Sequence, residues 1–272
     1  MMKKRLAALV ALTLAMTVAF TGCGKKEDDK TFKVGMECGY APFNWTQTDN
    51  SNGAVPIEGT SEFAGGYDVE IAKKIAEGLG KELVIVKTEW TGLLPALTSG
   101  KIDAIVAGMS PTAERKKSID FSDNYYNSNL VMVVNKDGAY ANATSIQDFS
   151  GAKITAQLGT FHYTVIEQIE GVQLETAMDD FSAMRVALES GIIDGYVSER
   201  PEGVSASNAN KKFTMIEFTD GFETSEEDTA IAVGVKKGSE LTTKINEILA
   251  GVSEEAQVSI MDSAIANQPA AE

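Results

Sequence analysis

The chain has 272 residues, with 24 Lys and Arg against 39 Asp and Glu, and a formal net charge of −15. So acidic a chain, with no basic cluster after its first residues beyond Arg115-Lys116-Lys117, lacks the positive face that nucleic acid requires. Its two cysteines, Cys23 and Cys38, build no disulfide framework, and its length allows two lobes of ordinary domain size.

Lys3, Lys4 and Arg5 precede an apolar run from Leu6 to Phe20, too short and too early for a spanning helix, which reads as a removable export signal. Phe20-Thr21-Gly22-Cys23 resembles a bacterial lipobox, in which Cys23 becomes the lipidated first residue; ordinary cleavage would instead leave Cys23 a free thiol. Loss of three cations with residues 1–22 takes the formal charge from −15 to −18. Gly24 to Lys30, GKKEDDK, cannot bury apolar surface and reads as a solvated tether.

Thr31 to Trp45 predicts a core strand, FKVGM, and then a turn, Glu37-Cys38-Gly39-Tyr40-Ala41-Pro42-Phe43. Asn44 to Ala64 is polar and aperiodic, a β-hairpin or an irregular excursion. Gly66-Tyr67-Asp68 opens a helix that Asp68 is placed to cap, with Val69, Ile71, Ala72, Ile75, Ala76 and Leu79 as its apolar stripe up to Gly80. A strand from Leu83 to Lys87 follows at once. Leu93, Leu94 and Leu97 predict a short helix stopped at Gly100, and Ile102 to Ala107 a buried strand ending at Gly108. Strand, helix, strand, helix, strand predicts a parallel α/β sheet whose ligand crevice lies at the carboxyl ends of its strands. Glu37, Tyr40, Trp90, Gly108 and Arg115 all fall just past those ends.

The stretch after Gly108 carries chemistry. Ser110 or Thr112 predicts a helix cap, Pro111 suits a first helical position, and AERKK continues with helix formers. Free backbone N–H groups, two hydroxyls and the Arg115 fork then converge into a seat for a carboxylate. The plainer alternative is an ordinary cap, with Arg115 on a solvated helix face.

From Ser128 the chain leaves this lobe. NSNLVMVVNKD predicts a long strand suited to crossing between lobes, and Ala139 to Asp148 an excursion ending in a short helix, SIQDF. Ala152 to Ala156 predicts a strand, and Leu158-Gly159-Thr160 a tight turn into a helix over Phe161 to Ile169, repeating the glycine-then-hydroxyl design of Gly108 and Ser110. The helix DDFSAMRVALESG and strand IIDGYV echo LLPALTSGKIDAIVAG, so the lobes share a plan. Ser198-Glu199-Arg200-Pro201 follows that strand. Glu199 there is placed to hold an ammonium group, or to form a solvated loop pair with Arg200. Phe213 to Phe218 predicts another strand, Ala230 to Val235 a strand returning to the first lobe, and Ser239 to Leu249 an amphipathic helix with a further helical pattern to about Ala266.

With GYAPFNW, GYDVEIAKKIAEGLG, WTGLLPALTSGKIDAIVAGMSPTAERKKSIDFSDNYY, LGT and IDGYVSERP assembled, residues 31–265 resemble the family 3 bacterial solute-binding proteins, the amino-acid-binding subunits of ABC importers. The resemblance implies a two-lobed periplasmic-binding-protein-like α/β fold, with a ligand cleft between lobes joined by two crossover strands. Its expected division is a signal peptide at 1–22, a lipidated N-terminus and tether at 23–30, a first lobe at 31–129, a second at 130–223, and a return with C-terminal helices at 224–272. It implies that Arg115 holds the ligand α-carboxylate with help from Ser110, Thr160 and Phe161, and that Glu199 and the Gly108 carbonyl meet the α-ammonium. Relatives commonly carry Asp where Glu199 stands. Tyr40 and Trp90 would sandwich the ligand side chain with Phe43 behind, Glu37 would face its cationic end, and Gln157 and His162 would line the second lobe's turn.

A guanidinium between aromatic faces, beside a carboxylate that needs a cation, favours arginine or another basic or polar amino acid; glutamine or cystine is the neutral alternative. An exported dehydratase on the same fold is a minor alternative, disfavoured by a single histidine, His162, and by the lack of a G-x-S-x-G elbow, Cys/His metal spacing or phosphate loop. The expectation is therefore a monomer that is not an enzyme, without cofactor or metal, extracytoplasmic and anchored to the cell membrane through Cys23. Its expected partners are a small amino acid and an ABC permease.

Overall fold

The computed structural model describes residues 30–269; the expected signal, Cys23 and the tether up to residue 29 lie outside the described residues. β1 (Thr31–Met36) buries Phe32 and Val34 on one face. The polar excursion folds into a small sheet of β2 (Gly39–Tyr40), β3 (Asn44–Gln47), β4 (Val55–Pro56) and β5 (Phe63–Gly65) in the order β2-β3-β5-β4. α1 (Tyr67–Gly78) follows, its Val69, Ile71 and Ile75 fully buried, each contributing about 1.5–3 kcal/mol of transfer free energy. β6 (Glu82–Lys87), α2 (Trp90–Ser99), β7 (Ala104–Ile105) and β8 (Ile119–Asn127) complete the outward path of the first lobe.

The second lobe holds β9 (Leu130–Asn135), β10 (Lys153–Thr155), α3 (Phe161–Thr164), β11 (Gln173–Leu174), α4 (Phe181–Glu189), β12 (Gly195–Glu199), α5 (Arg200–Ala209) and β13 (Phe213–Ile216). The chain comes back through α6 (Glu226–Thr229) and β14 (Ala230–Lys236), then α7 (Leu241–Leu249) and α8 (Glu254–Asn267). Two five-stranded sheets result, ordered β6-β1-β7-β14-β8 and β11-β10-β12-β9-β13. The crossings run side by side: Asn127 pairs with Ala230, and the Ser128 N–H donates to the Thr229 carbonyl at 2.9 Å.

Several expectations need correction. The first sheet is mixed, not parallel: β1, β6 and β7 run parallel, but β14 lies antiparallel to both β7 and β8. The reason is the crossover, because a chain that leaves and re-enters one sheet brings its exit and entry strands together in opposite directions. β8 itself escaped notice, since its IDFSDNYYN sequence carries exposed Asp123 and Asn124 among buried Ile119, Ser122 and Tyr125. The crossing occurs between β8 and β9, so NSNLVMVVNKD is not one strand.

The helix expected at Ser110 to Thr112 does not form. The segment lies along the returning chain instead, where Met109 accepts from the Ala232 N–H of β14 at 3.0 Å and the Ser110 hydroxyl donates to the Asp228 carbonyl of α6 at 2.8 Å. Only a 3-10 turn, Arg115–Lys117, remains. Asp68 is not a cap: fully buried, it accepts from Asn44 Nδ2 at 2.8 Å and from the Tyr125 hydroxyl at 2.7 Å. The helix expected over Phe161 to Ile169 is one turn of α-helix followed by a 3-10 turn over Val165–Gln168. Ser198 and Glu199 end a strand rather than form a loop, and Arg200 and Pro201 open a helix, as a proline in the first turn permits.

Candidate functional site

The strand ends of both lobes face one another across a cavity. β1 delivers Glu37 and Tyr40, β6 leads to Trp90, β7 to Gly108, β10 to Gln157, and β12 carries Glu199. Gly108 has φ +60°, and a Cβ there would stand 2.6 Å from the Tyr40 ring, so glycine is required where Tyr40 packs on the backbone. Asp68 holds this floor from below: Tyr125 donates to Asp68 and accepts from the Gly108 N–H at 3.3 Å. Burial pushes the Asp68 carboxyl up to about 6.

Of the expected residues, Tyr40, Trp90, Gly108, Ser110, Arg115, Gln157, Thr160, Phe161 and His162 all line this one cavity. Glu199 adjoins it through Tyr40, whose hydroxyl donates to Oε2, and through His162, whose Nε2 lies 3.5 Å from Oε1. Glu37 adjoins it through Gln157, whose Nε2 donates to Oε1 at 2.8 Å. Phe43 is fully buried behind Tyr40, ring centroids 4.9 Å apart. The plainer alternative for Glu199 fails, because it is 1% exposed and Arg200 pairs with Glu217 instead.

Arg115 is where the expectation changes most. The helix N-terminus expected at Ser110 is absent, whereas α3 does begin after Thr160 on the facing wall, and the supports of the Arg115 guanidinium differ from those expected. Its Nη1 donates to the Ser110 carbonyl at 2.9 Å, its Nη2 reaches across the cleft to the Gly159 carbonyl at 3.2 Å, and its Cζ lies 4.9 Å from the Trp90 ring centre. The Ser110 and Thr160 hydroxyls donate within the fold, Ser110 to the Asp228 carbonyl and Thr160 to the Gln157 carbonyl at 2.7 Å. Among the described residues no carboxylate pairs with Arg115; Asp228 acts on it only from beyond ion-pair distance.

Electrostatically the site is prepared for opposite charges. Burial raises the Glu37 carboxyl to about 8, the Gln157 bond opposing it, and raises Glu199 to about 8, with Glu202 adding to the effect. Burial and the neighbouring Arg115 charge hold His162 down at about 3, so it is neutral. Glu37 Oε2 and Glu199 Oε1 are buried without a hydrogen-bond partner. Among the described residues no group of three His, Cys, Asp or Glu is placed to hold a metal ion. Tyr40, Gln157 and Arg115 reach so far across the cleft that only about 10 Å³ lies free between them, room for one water at most. Past Trp90 and Phe161 the cleft opens into a groove of about 650 Å³.

Two contributors were missed. Phe181 opens α4 and stacks on Tyr40 from the other lobe, centroids 4.4 Å apart and planes 12° apart; within an amphipathic helix it resembled any core aromatic. Glu202 is fully buried on α5, bound to Arg185 at 2.8 Å and to Tyr196 at 3.0 Å. No signal marked it, because Arg200 to Ala209, RPEGVSASNA, carries no clear apolar stripe.

The profile of the bacterial extracellular solute-binding proteins, family 3, matches residues 32–262. The arginine-binding extracellular protein ArtP of Bacillus subtilis is 35% identical over 164 residues, which cover 58% of this chain and 57% of that one; the chain spans only about half the length of the curated relatives it matches. Among solved structures, an amino acid ABC transporter substrate-binding protein of Streptococcus pneumoniae bound to L-arginine is 26% identical with a TM-score of 0.76, covering 87% of this chain and 94% of its own. An ancestral arginine-binding protein bound to glutamine is 28% identical with a TM-score of 0.71, covering 86% and 97%. With two α/β lobes around a charged cleft and a profile match across nearly all the described residues, this chain belongs to the family 3 bacterial extracellular solute-binding proteins.

Proposed function

We propose that the chain is the substrate-binding component of an amino-acid ABC importer, taking a free L-amino acid, arginine or another basic amino acid by preference, and delivering it to a membrane permease. One observation carries this: a guanidinium with no carboxylate partner lines a cavity, and two buried carboxyls with unsatisfied oxygens, one from each lobe, stand directly behind its Gln157, Tyr40 and His162 wall. A zwitterion supplies what each lacks. Its carboxylate takes the Arg115 fork. Its ammonium takes Glu199 in place of the Tyr40 hydroxyl, and a cationic side chain lies against Glu37 in place of Gln157. Tyr40 and Trp90 flank it.

Binding then shifts the lobes toward closure by the contacts that only the closed form makes, and no bond in the ligand is broken. The similarity to arginine-bound relatives supports a basic ligand. A neutral polar ligand such as glutamine is the second reading, because a protonated Glu37 donates to an amide, and the ancestral relative is named as glutamine-bound. We propose further that the mature protein is an extracytoplasmic monomer anchored through a lipidated Cys23, with lobe boundaries near residues 129 and 223. The test is a thermal-shift panel of amino acids at about millimolar concentration, in which one or a few raise the melting temperature as linkage requires. No shift with any of them would refute the proposal.

A further inference from the structure

Resting on that two-lobe binding role, we propose that Gln268, just past the end of α8, is a positioning residue that fastens the closed lobes together and so sets how long a ligand is held. α8 rides on the first lobe, lying against α1 with Met261 and Ala264 buried. Its far end meets α5 of the second lobe. There the Gln268 amide uses both its ends on one residue: Ser205 Oγ donates to Gln268 Oε1 at 2.6 Å, and Gln268 Nε2 donates to the Ser205 carbonyl at 3.3 Å. The Gln268 N–H still closes on the Ala264 carbonyl at 3.1 Å, so the helix aims the side chain.

The other half of the contact is rigid and tied to the ligand site. α5 starts directly after Glu199, with the Arg200 N–H donating to Asn129 in the first crossover at 3.0 Å. Ser205 lies six residues beyond Glu199, roughly 9 Å along the helix at 1.5 Å per residue. It is 1% exposed, and Arg185, which holds Glu202, also reaches its hydroxyl at 3.5 Å. A lobe rotation that moves Glu199 therefore moves Ser205 with it, while Gln268 stays with the first lobe. Beside the contact Lys87, Thr46 and Arg185 line a cavity of about 350 Å³ shared by both lobes. The contact thus borders open space on one side, and a bond made in one lobe arrangement alone biases the equilibrium by its full net strength.

The experiment compares Gln268→Ala with Gln147→Ala, whose amide makes the same kind of two-ended pair wholly inside the second lobe, with the Gln168 carbonyl at 2.8 Å and the Glu170 N–H at 2.9 Å. Small-angle scattering without added ligand reads the lobe spread, and stopped-flow tryptophan fluorescence reads L-arginine release. Expected for Gln268→Ala is a larger radius of gyration and release faster by roughly five- to thirty-fold, with Gln147→Ala like the parent. Unchanged scattering overturns the proposal, whether or not release changes. Should the parent bind no amino acid, the binding role fails separately, and the scattering comparison decides the fastening alone.

Discussion

Replacing Arg115 by alanine tests the centre of the binding account. Each bond between a guanidinium and a ligand carboxylate contributes about 1.5–3 kcal/mol, so a two-pronged grip is worth about 3–6 kcal/mol, or roughly 10²- to 10⁴-fold in affinity. Arg115→Lys keeps the charge but loses the planar fork and the contact with Trp90, 4.9 Å away, which itself contributes about 0.5–2 kcal/mol. An intermediate loss of roughly 10- to 100-fold is expected. The fold asks little of this side chain, whose two bonds go to the Ser110 and Gly159 carbonyls. Those two bonds and the Trp90 contact are lost without ligand as well, so the melting temperature should fall by about 2–4 °C for each kcal/mol they contribute, while the chain stays folded. Isothermal titration with L-arginine measures the affinities, and scanning calorimetry the stability. An Arg115→Ala protein that binds within about threefold of the parent would refute the carboxylate assignment.

Glu37→Gln should weaken arginine while sparing or improving glutamine, because it exchanges a carboxyl made to meet a cation for a neutral amide of the same shape; equal losses for both would show that Glu37 does not choose the side chain. Burial holds Glu37 and Glu199 at about 8 against an ordinary 4.5, so the folded chain binds more protons than the unfolded one between those values. The stability their neutral forms contribute is complete below about 4.5 and is lost as pH rises through about 8. Melting curves against pH should then fall less steeply for Glu199→Gln than for the parent, and parallel curves would contradict this. The same groups should release protons when a cationic ligand arrives near neutral pH, visible as a dependence of calorimetric binding heat on the buffer's ionisation enthalpy.

Local patterns in the chain were enough for the elements whose burial repeats at a fixed period. The stripe from Val69 to Ala76 buries one face of α1, and FKVGM and LVIVK pair in register as β1 and β6. The same patterns put Glu37, Tyr40, Trp90, Gly108 and Arg115 after strand ends, and so on one rim of a sheet. What they could not supply was any preference set by partners distant in sequence. Ser110-Pro111-Thr112 has the local chemistry of a helix start, yet Asp228 of α6, 118 residues later, claims the Ser110 hydroxyl, and Ala232 of the returning strand binds the Met109 carbonyl. Asp68 has the chemistry of a cap, yet burial beneath Tyr125 makes it a support for Gly108. Glu199 and Tyr40 stand 159 residues apart, and only closure of the lobes makes one the other's partner. Periodicity and composition determine which faces are buried and which groups gather at a strand end. The tertiary structure alone decides which hydrogen-bonding groups are spent on the fold and which remain for a ligand, because that choice depends on groups the local sequence never meets.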